Sequence, residues 1–282
     1  MHSIEKNIAL VVNPFHQKAK GVARELVTLL QHSSIEHTVF TDSWPTTWVD
    51  FTEAWIVGGD GTLNFFINRY PQFDLPMVIF KGGTGNDFHW LLYGSLTTAQ
   101  QFQKVLSAAP QPVDAGLCNR RLFINGVGIG FDGKVVGDLA GKEKRAGNAS
   151  YLLTVLKNIF QYKSFLCTVN TTDFHWGKKC FMISVANGKR YGGGFRVSPQ
   201  SLFNDGLLDT NIVGRLHPLR RLQYLPLIQK GKHLDLPFIT YVKSSMVVVK
   251  ALQEVPAHAD GEGFSATEFN IECLPGRFFF LY

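Results

Sequence analysis

Ile8–Val12 is an unbroken apolar run closed by Asn13-Pro14, the pattern of a buried strand that ends in a turn. Val22, Leu26, Leu29 and Leu30 then recur at helical spacing. Thr38–Thr41 reads as a short strand, and Ala54–Val57 as a further apolar strand that stops abruptly at glycines. Leu63, Phe66, Ile67 and Tyr70 fit one helical face, Met77–Phe80 is a strand again ended by glycines, and Thr97–Ala108 is helical with an N-cap at Thr97 or Thr98. Strand, glycine turn and helix in repetition predict a parallel sheet covered by helices.

The pattern changes near Asp114. Short β-type segments follow at Leu122–Asn125, Leu166–Asn170, Cys180–Ala186, Leu208–Val213, Met246–Val249, Phe269–Cys273 and Phe278–Tyr282, with helical spacing only at Tyr151–Tyr162 and Pro218–Gln229. Many short strands with turn signals predict an antiparallel sandwich or barrel. The expected fold is therefore an α/β N-terminal domain with a parallel sheet over residues 1–116, then a β-rich domain over 117–275. A terminal strand, 276–282, is free to return to the first domain.

The chain has 282 residues, 45% hydrophobic and 18% charged. That supports two ordinary cores and excludes a disordered chain. No apolar run reaches the ~18 residues of a membrane-spanning helix, and Ile8–Val12 is too short for a signal-peptide core. Four widely separated cysteines (Cys118, Cys167, Cys180, Cys273) include no CxxC pair, which argues against a zinc site or disulfide framework and for a reducing cytoplasm. The net charge of +6 suits anionic partners such as nucleotides or a membrane face. It is spread out; the densest cluster, Lys142-Glu143-Lys144-Arg145, contains an acid, and no aromatic–basic ladder for nucleic acid is present.

Two strands of the first domain end in glycine loops, Gly58-Gly59-Asp60-Gly61-Thr62 and Gly82-Gly83-Thr84-Gly85-Asn86-Asp87. Open α/β sheets bind ligands beyond the carboxyl ends of their strands. Glycine lets backbone N–H groups approach phosphate oxygens, and a following helix adds its positive end. Neither loop is a P-loop or a GxGxxG motif. Asp60 and Asp87 would repel phosphate unless a cation intervenes, and Mg²⁺ bridging carboxylate and phosphate resolves the conflict. Tight turns also favour Asp-Gly and Asn-Asp, so one such loop alone reads first as a turn, and it is two of them on successive strands of one sheet that point to a ligand.

GGDGTLN (Gly58–Asn64) followed by GTGNDF (Gly83–Phe88) resembles the diacylglycerol-kinase catalytic family of lipid kinases. The resemblance continues in order through Phe123–Asp132, Asn187 with Gly192–Gly194, Pro199 with Asn204–Asp209, and Asp260-Gly261-Glu262. It covers about residues 8–265 and implies a two-domain, ATP-dependent lipid kinase. By that resemblance Gly58, Gly59, Asp60, Gly61 and Thr62 form a phosphate loop in which Asp60 acts through Mg²⁺. Gly83, Thr84, Gly85, Asn86 and Asp87 hold nucleotide and metal beside it. Asn13 contacts nucleotide or simply ends its strand. Asp132 joins the Mg²⁺–phosphate network, and Glu262 is the general base that takes the acceptor hydroxyl's proton. Asp260 and Glu262, two apart in an extended segment, would share a side. Asp205, with the carbonyls of Leu202 and Leu207, holds a structural Mg²⁺ or Ca²⁺ or else forms an Asp-Gly hairpin turn.

Several positions depart from the family pattern. Lys81 stands where proline is common and offers a cation for phosphate. Phe65 replaces a usual glutamate, His16-Gln17 replace small residues, and His89 replaces a small residue. The expected partners are ATP and a membrane lipid, diacylglycerol or a relative, met by transient peripheral contact with an anionic membrane from the cytoplasm. No nucleic acid is expected, and a homodimer is left open. Two other readings compete. An NAD kinase shares GGDGT but expects a later Asn-Glu pair that is absent here. A degenerate nucleotide-binding relative without activity has Phe65 as its main support.

Overall fold

Unbroken runs of Val, Ile and Leu become strands buried on both faces, and this is how the first unit is built. The computed structural model describes residues 6–139 and 147–282, and these described residues divide into two compact units, the first up to Val113 together with Gly276–Tyr282, the second within Asp114–Pro275. The Lys142–Arg145 cluster lies outside the described residues.

In unit 1, β1 (Asn7–Val12) pairs parallel with β2 (Glu36–Phe40) and β3 (Glu53–Gly58), and β3 pairs parallel with β4 (Met77–Lys81). Every residue of β3 is buried. The helices α1 (Gln17–His32), α2 (Asp60–Arg69), α3 (Asp87–Tyr93) and α4 (Thr98–Leu106) fill the crossovers. α1 buries Ala19, Ala23, Leu26 and Leu30, one stripe at i, i+4, i+7, i+11. α4 begins with a capping box in which Thr97 and Gln100 satisfy each other's backbone N–H groups. Trp55, Phe66, Phe80 and Phe102 are fully buried and anchor the core. At its edge Trp48 meets Phe66, Tyr70 and Phe73 edge-on, with ring centroids 4.7–5.5 Å apart.

β5 (Pro110–Cys118) spans the boundary between Val113 and Asp114. Unit 2 continues with β6 (Arg121–Phe123), β7 (Gly126–Gly130), α5 (Phe131–Leu139), α6 (Gly147–Gln161), β8 (Phe165–Asn170) and β9 (His175–Ala186). It ends with β10 (Leu208–Gly214), α7 (Pro218–Gln229), β11 (Ile239–Ser244), β12 (Met246–Ala259) and β13 (Glu262–Leu281). Its strands pair antiparallel. β7 and β8 each bridge β9 and β12, which closes a ring around Phe123, Val127, Ile183, Val249 and Phe269.

Phe269–Cys273 and Phe278–Tyr282 are not separate strands. β13 runs unbroken through Pro275-Gly276, and its last residues belong to unit 1, where Phe280 pairs parallel with Met77. Tyr93 fastens this end by donating its hydroxyl to the Leu281 carbonyl at 2.6 Å.

Candidate functional site

The two glycine loops of unit 1 touch backbone to backbone. Gly82 N–H donates to the Gly58 carbonyl at 2.7 Å. A Cβ added at Gly59 would stand 2.9 Å from Gly83 Cα, and one added at Gly83 would stand 2.5 Å from Gly59 Cα. Glycine is required here by this approach. Gly83→Ala is expected to push the loops apart and destabilise the protein by about 1–3 kcal/mol, read as a lower urea midpoint with an unchanged slope.

Asn86 is the N-cap of α3 and adopts the left-handed conformation (φ 52°), but its side chain turns back to Gly83, accepting from Gly83 N–H and donating to the Gly83 carbonyl at 2.9 Å each. The amides of α3 are capped instead by Asp60, whose Oδ2 accepts from Asp87 N–H and whose Oδ1 accepts from Phe88 N–H, both at 2.9 Å. One carboxylate thus closes the first loop onto the second and lies at the positive end of α3. The carboxylate of Asp87 is buried. Asn13 donates from Nδ2 to Thr62 Oγ1 at 2.7 Å and accepts Phe15 N–H at 2.9 Å, so it both ends β1 and braces the first loop. Gly59 caps α2 without any side-chain hydrogen bond, and Gly61 and Thr84 are exposed. Lys81 is exposed and directs its ammonium to the Leu96 carbonyl at 3.2 Å.

In unit 2, Asp132 opens α5 and accepts the Tyr191 hydroxyl at 2.7 Å. The Tyr191 ring meets His258 edge-on, with centroids 5.3 Å apart. A Cβ on Gly128 would lie 2.5 Å from His258 Nε2 and 3.0 Å from Asp132 Oδ2, so these groups crowd over a glycine. Burial pushes the Asp132 carboxyl up to about 6, against the pull of Tyr191, and pushes the His258 imidazole down to about 4. The two act oppositely on stability. The stability contributed by Asp132 is present below its ordinary 3.8 and is lost as pH rises through about 6. That from His258 is present above 6.5 and is lost as pH falls through about 4. Asp132→Asn is therefore expected to make stability climb more steeply between those limits than in the unaltered protein, measured by urea unfolding across pH.

The acidic pair Asp260 and Glu262 does not share a side. Asp260-Gly261 is a two-residue hairpin turn with both φ positive (47° and 91°), across which Ala259 faces Glu262. Asp260 turns inward and accepts the N–H groups of Ile124, Asn125 and Gly126 at 2.7–2.9 Å. Its role is to hold the start of β7. Glu262 is exposed on the far side of the turn, and His258 Nδ1 accepts Gly261 N–H at 3.2 Å, which steadies the turn. In the 202–207 turn Leu202 is exposed, and the Asp205 carboxylate accepts Leu207 N–H at 3.1 Å and the Lys243 ammonium at 2.8 Å.

Tyr191 and His258 carry no motif letter of their own, and only their neighbours signal them: Tyr191 precedes Gly192–Gly194, and His258 stands two before Asp260 on a strand. Asn187 is legible as a motif residue, though its use is not: its amide donates to the carbonyls of Asp114 and Ile124 at 2.9 Å each. Phe65 is 57% exposed and meets Trp44 edge-on at 5.1 Å.

Comparison with known proteins agrees with this layout. Residues 7–118 match the diacylglycerol kinase catalytic domain, and residues 125–281 match the YegS C-terminal NAD kinase beta sandwich-like domain. The chain is 30% identical over 229 residues to a "probable lipid kinase YegS-like" of Pseudomonas syringae pv. syringae (strain B728a), covering 78% of this chain and 72% of that protein. It is 30% identical over 225 residues to a "probable lipid kinase YegS" of Salmonella typhimurium (strain LT2), covering 78% and 74%. A solved structure titled "putative diacylglycerol kinase from Bacillus anthracis str. Sterne" superposes with TM-score 0.81 over 98% of this chain and 97% of that one; at 20% identity it speaks for the fold alone. By sequence over most of its length, this chain belongs to the diacylglycerol kinase catalytic-domain family of lipid kinases, with a YegS-type C-terminal domain.

Proposed function

We propose that this lipid kinase transfers the γ-phosphoryl group of ATP to a hydroxyl of diacylglycerol or a closely related membrane lipid. The observation that carries the reading is the pair of glycine loops drawn into backbone contact and latched by Asp60. The N-terminus of α2, whose cap Gly59 makes no side-chain hydrogen bond, supplies a positive dipole beside this contact.

Mg²⁺ fits this loop. An ion that arrives with phosphates and waters needs only one or two protein carboxylates, and Asp60 and Asp87 stand in loops that Asp60 itself ties together. Asp60, with Asp87 beside it, would hold the ion, which would neutralise phosphate charge. Asn13, Thr62, Thr84, Gly85 and Asn86 shape the same loops. By the family resemblance Asp132 is the further carboxylate assigned to metal and phosphate. Glu262 takes the proton of the acceptor hydroxyl as its oxygen bonds to the γ-phosphorus and the bond to the ADP oxygen breaks.

The lipid side is supported by α6 and α7, which pack together. Arg221 joins them by donating to the carbonyls of Ile159 and Tyr162 at 2.8 Å each. Leu153, Lys157 and Phe160 form an exposed stripe on α6, and Leu219, Arg220 and Leu222 are exposed on α7. Neither helix contains an acidic residue. Apolar side chains among cations suit the surface of an anionic bilayer. No helix among the described residues is long and apolar enough to cross a membrane.

The test is incubation with γ-labelled ATP, Mg²⁺ and anionic vesicles carrying diacylglycerol, phosphatidylglycerol or a sphingoid base, with NAD in a parallel tube. Label on diacylglycerol is the expected result. Label on NAD, or ATP binding with no labelled acceptor, overturns the proposal.

A further inference from the structure

The family resemblance implies a divalent cation at Asp205 and the carbonyls of Leu202 and Leu207, and the residues present do not fit one. Asp205 Oδ2 already accepts the Lys243 ammonium at 2.8 Å, and Oδ1 accepts Leu207 N–H. A divalent ion on the same carboxylate at ~2.1–2.5 Å would sit against a fixed positive charge. Among the described residues no three His, Cys, Asp or Glu side chains converge on a cation-sized site.

Sheet register explains how the ammonium comes to be there. Lys243 on β11 lies directly across from Asp209 on β10, the last acid of the Asn204–Asp209 segment. Asp209 is wholly buried, and its Oδ2 is 3.7 Å from the ammonium. Tyr241, two residues before Lys243 and so on the same face, donates its hydroxyl to Asp209 Oδ1. A buried carboxylate needs a compensating charge as well as hydrogen bonds, and a single ammonium serves both acids. The far side of the turn is also tied by protein groups: Asp114 Oδ2 accepts Gly206 N–H at 2.7 Å, and Asp114 N–H donates to the Phe203 carbonyl at 2.8 Å.

We infer that Lys243 is a built-in cation that takes the place of a structural divalent ion at the Asp205 turn, so that this domain folds without metal. The inference concerns stability and is independent of which acceptor is phosphorylated. Any divalent requirement of the enzyme then belongs to the nucleotide alone.

Thermal unfolding of the full chain without nucleotide tests it. The unaltered protein is expected to melt at the same temperature in EDTA and in millimolar Ca²⁺ or Mg²⁺, and Asp205→Asn to be equally indifferent to the ions. A melting temperature that falls on chelation in the unaltered protein, and does not in Asp205→Asn, overturns the inference. Lys243→Met is expected to melt roughly 5 °C or more lower in EDTA, with Lys243→Arg regaining most of the loss. Lys243→Met melting with the unaltered protein overturns it as well. If Lys243→Met yields no folded protein, the chelation comparison decides alone.

Discussion

Asp60→Ala is expected to abolish phosphoryl transfer and also to loosen the fold around the loops. The two effects have separate causes. The methyl group leaves the N–H groups of Asp87 and Phe88 without the carboxylate that now caps them, a loss of about 1–2 kcal/mol for a helix N-terminus. In the proposed mechanism it also removes the charge that would draw a divalent ion to the phosphates, and electrostatic groups of this kind are worth roughly 10²–10³ in kcat each. With the loop contact between Gly59 and Gly83 loosened as well, transfer should fall at least about 10³-fold. Asp60→Asn separates the causes. Its amide oxygen accepts one of the two N–H groups, so stability should be partly recovered, while transfer should not be, because the charge is gone. Initial rates of lipid labelling and urea unfolding of both variants check this. Unchanged turnover in Asp60→Ala would remove Asp60 from the mechanism. Asn restoring turnover along with stability would leave it a latch alone.

The latch shows which parts of the site sequence alone could convey. Asp60 stands out in GGDGT because acid beside a phosphate loop demands an explanation, and cation binding is the explanation its letters suggest. That it caps a helix beginning 27 residues later depends on the parallel pairing of β3 with β4, which brings Gly58 opposite Lys81. No local spacing carries that information. α3 has no helical stripe to mark it for a related reason: it is only seven residues long, and although Asn86 is a usual N-cap letter, its side chain goes to Gly83 and the capping comes from Asp60. Long apolar runs such as β1 and β3, and helices with a clear stripe or capping box such as α1 and α4, are legible because their stabilising contacts are local or periodic.

The second unit was legible in its short strands and much less so in its polar interior. β11 escapes notice because Ile239–Ser244 alternates with Thr, Tyr and Lys and none of its first five residues is fully buried. Yet it delivers Lys243 and Tyr241 to Asp209. Asp260 misleads for the opposite reason. The segment reads as extended, but Asp-Gly with two positive φ values reverses the chain, so that the carboxylate nearest to Glu262 in sequence is spent on three backbone amides. The motif letters D-G-E therefore hold one structural acid, one turn glycine and one exposed acid.

That division makes Glu262→Gln the more discriminating experiment. Gln keeps the size and hydrogen-bonding reach of the side chain and removes only its capacity to take a proton. Glu262 is exposed at the first position of β13, and the turn before it is held by Asp260 and His258, neither of which the change touches. The melting temperature should therefore stay within the small range of surface substitutions. General-base catalysis contributes about 10²–10⁴ in rate, so kcat for lipid labelling should fall by that factor. The dissociation constant for ATP, measured by fluorescence or calorimetry, should change little, because a group acting only on the acceptor proton lowers kcat without weakening the donor nucleotide. Asp260→Asn provides the contrast: it should cost stability through the amides of Ile124, Asn125 and Gly126, with activity lost in proportion to unfolded protein. A Glu262→Gln variant that binds ATP poorly, or that turns over at the normal rate, would take the proton-accepting role away from Glu262.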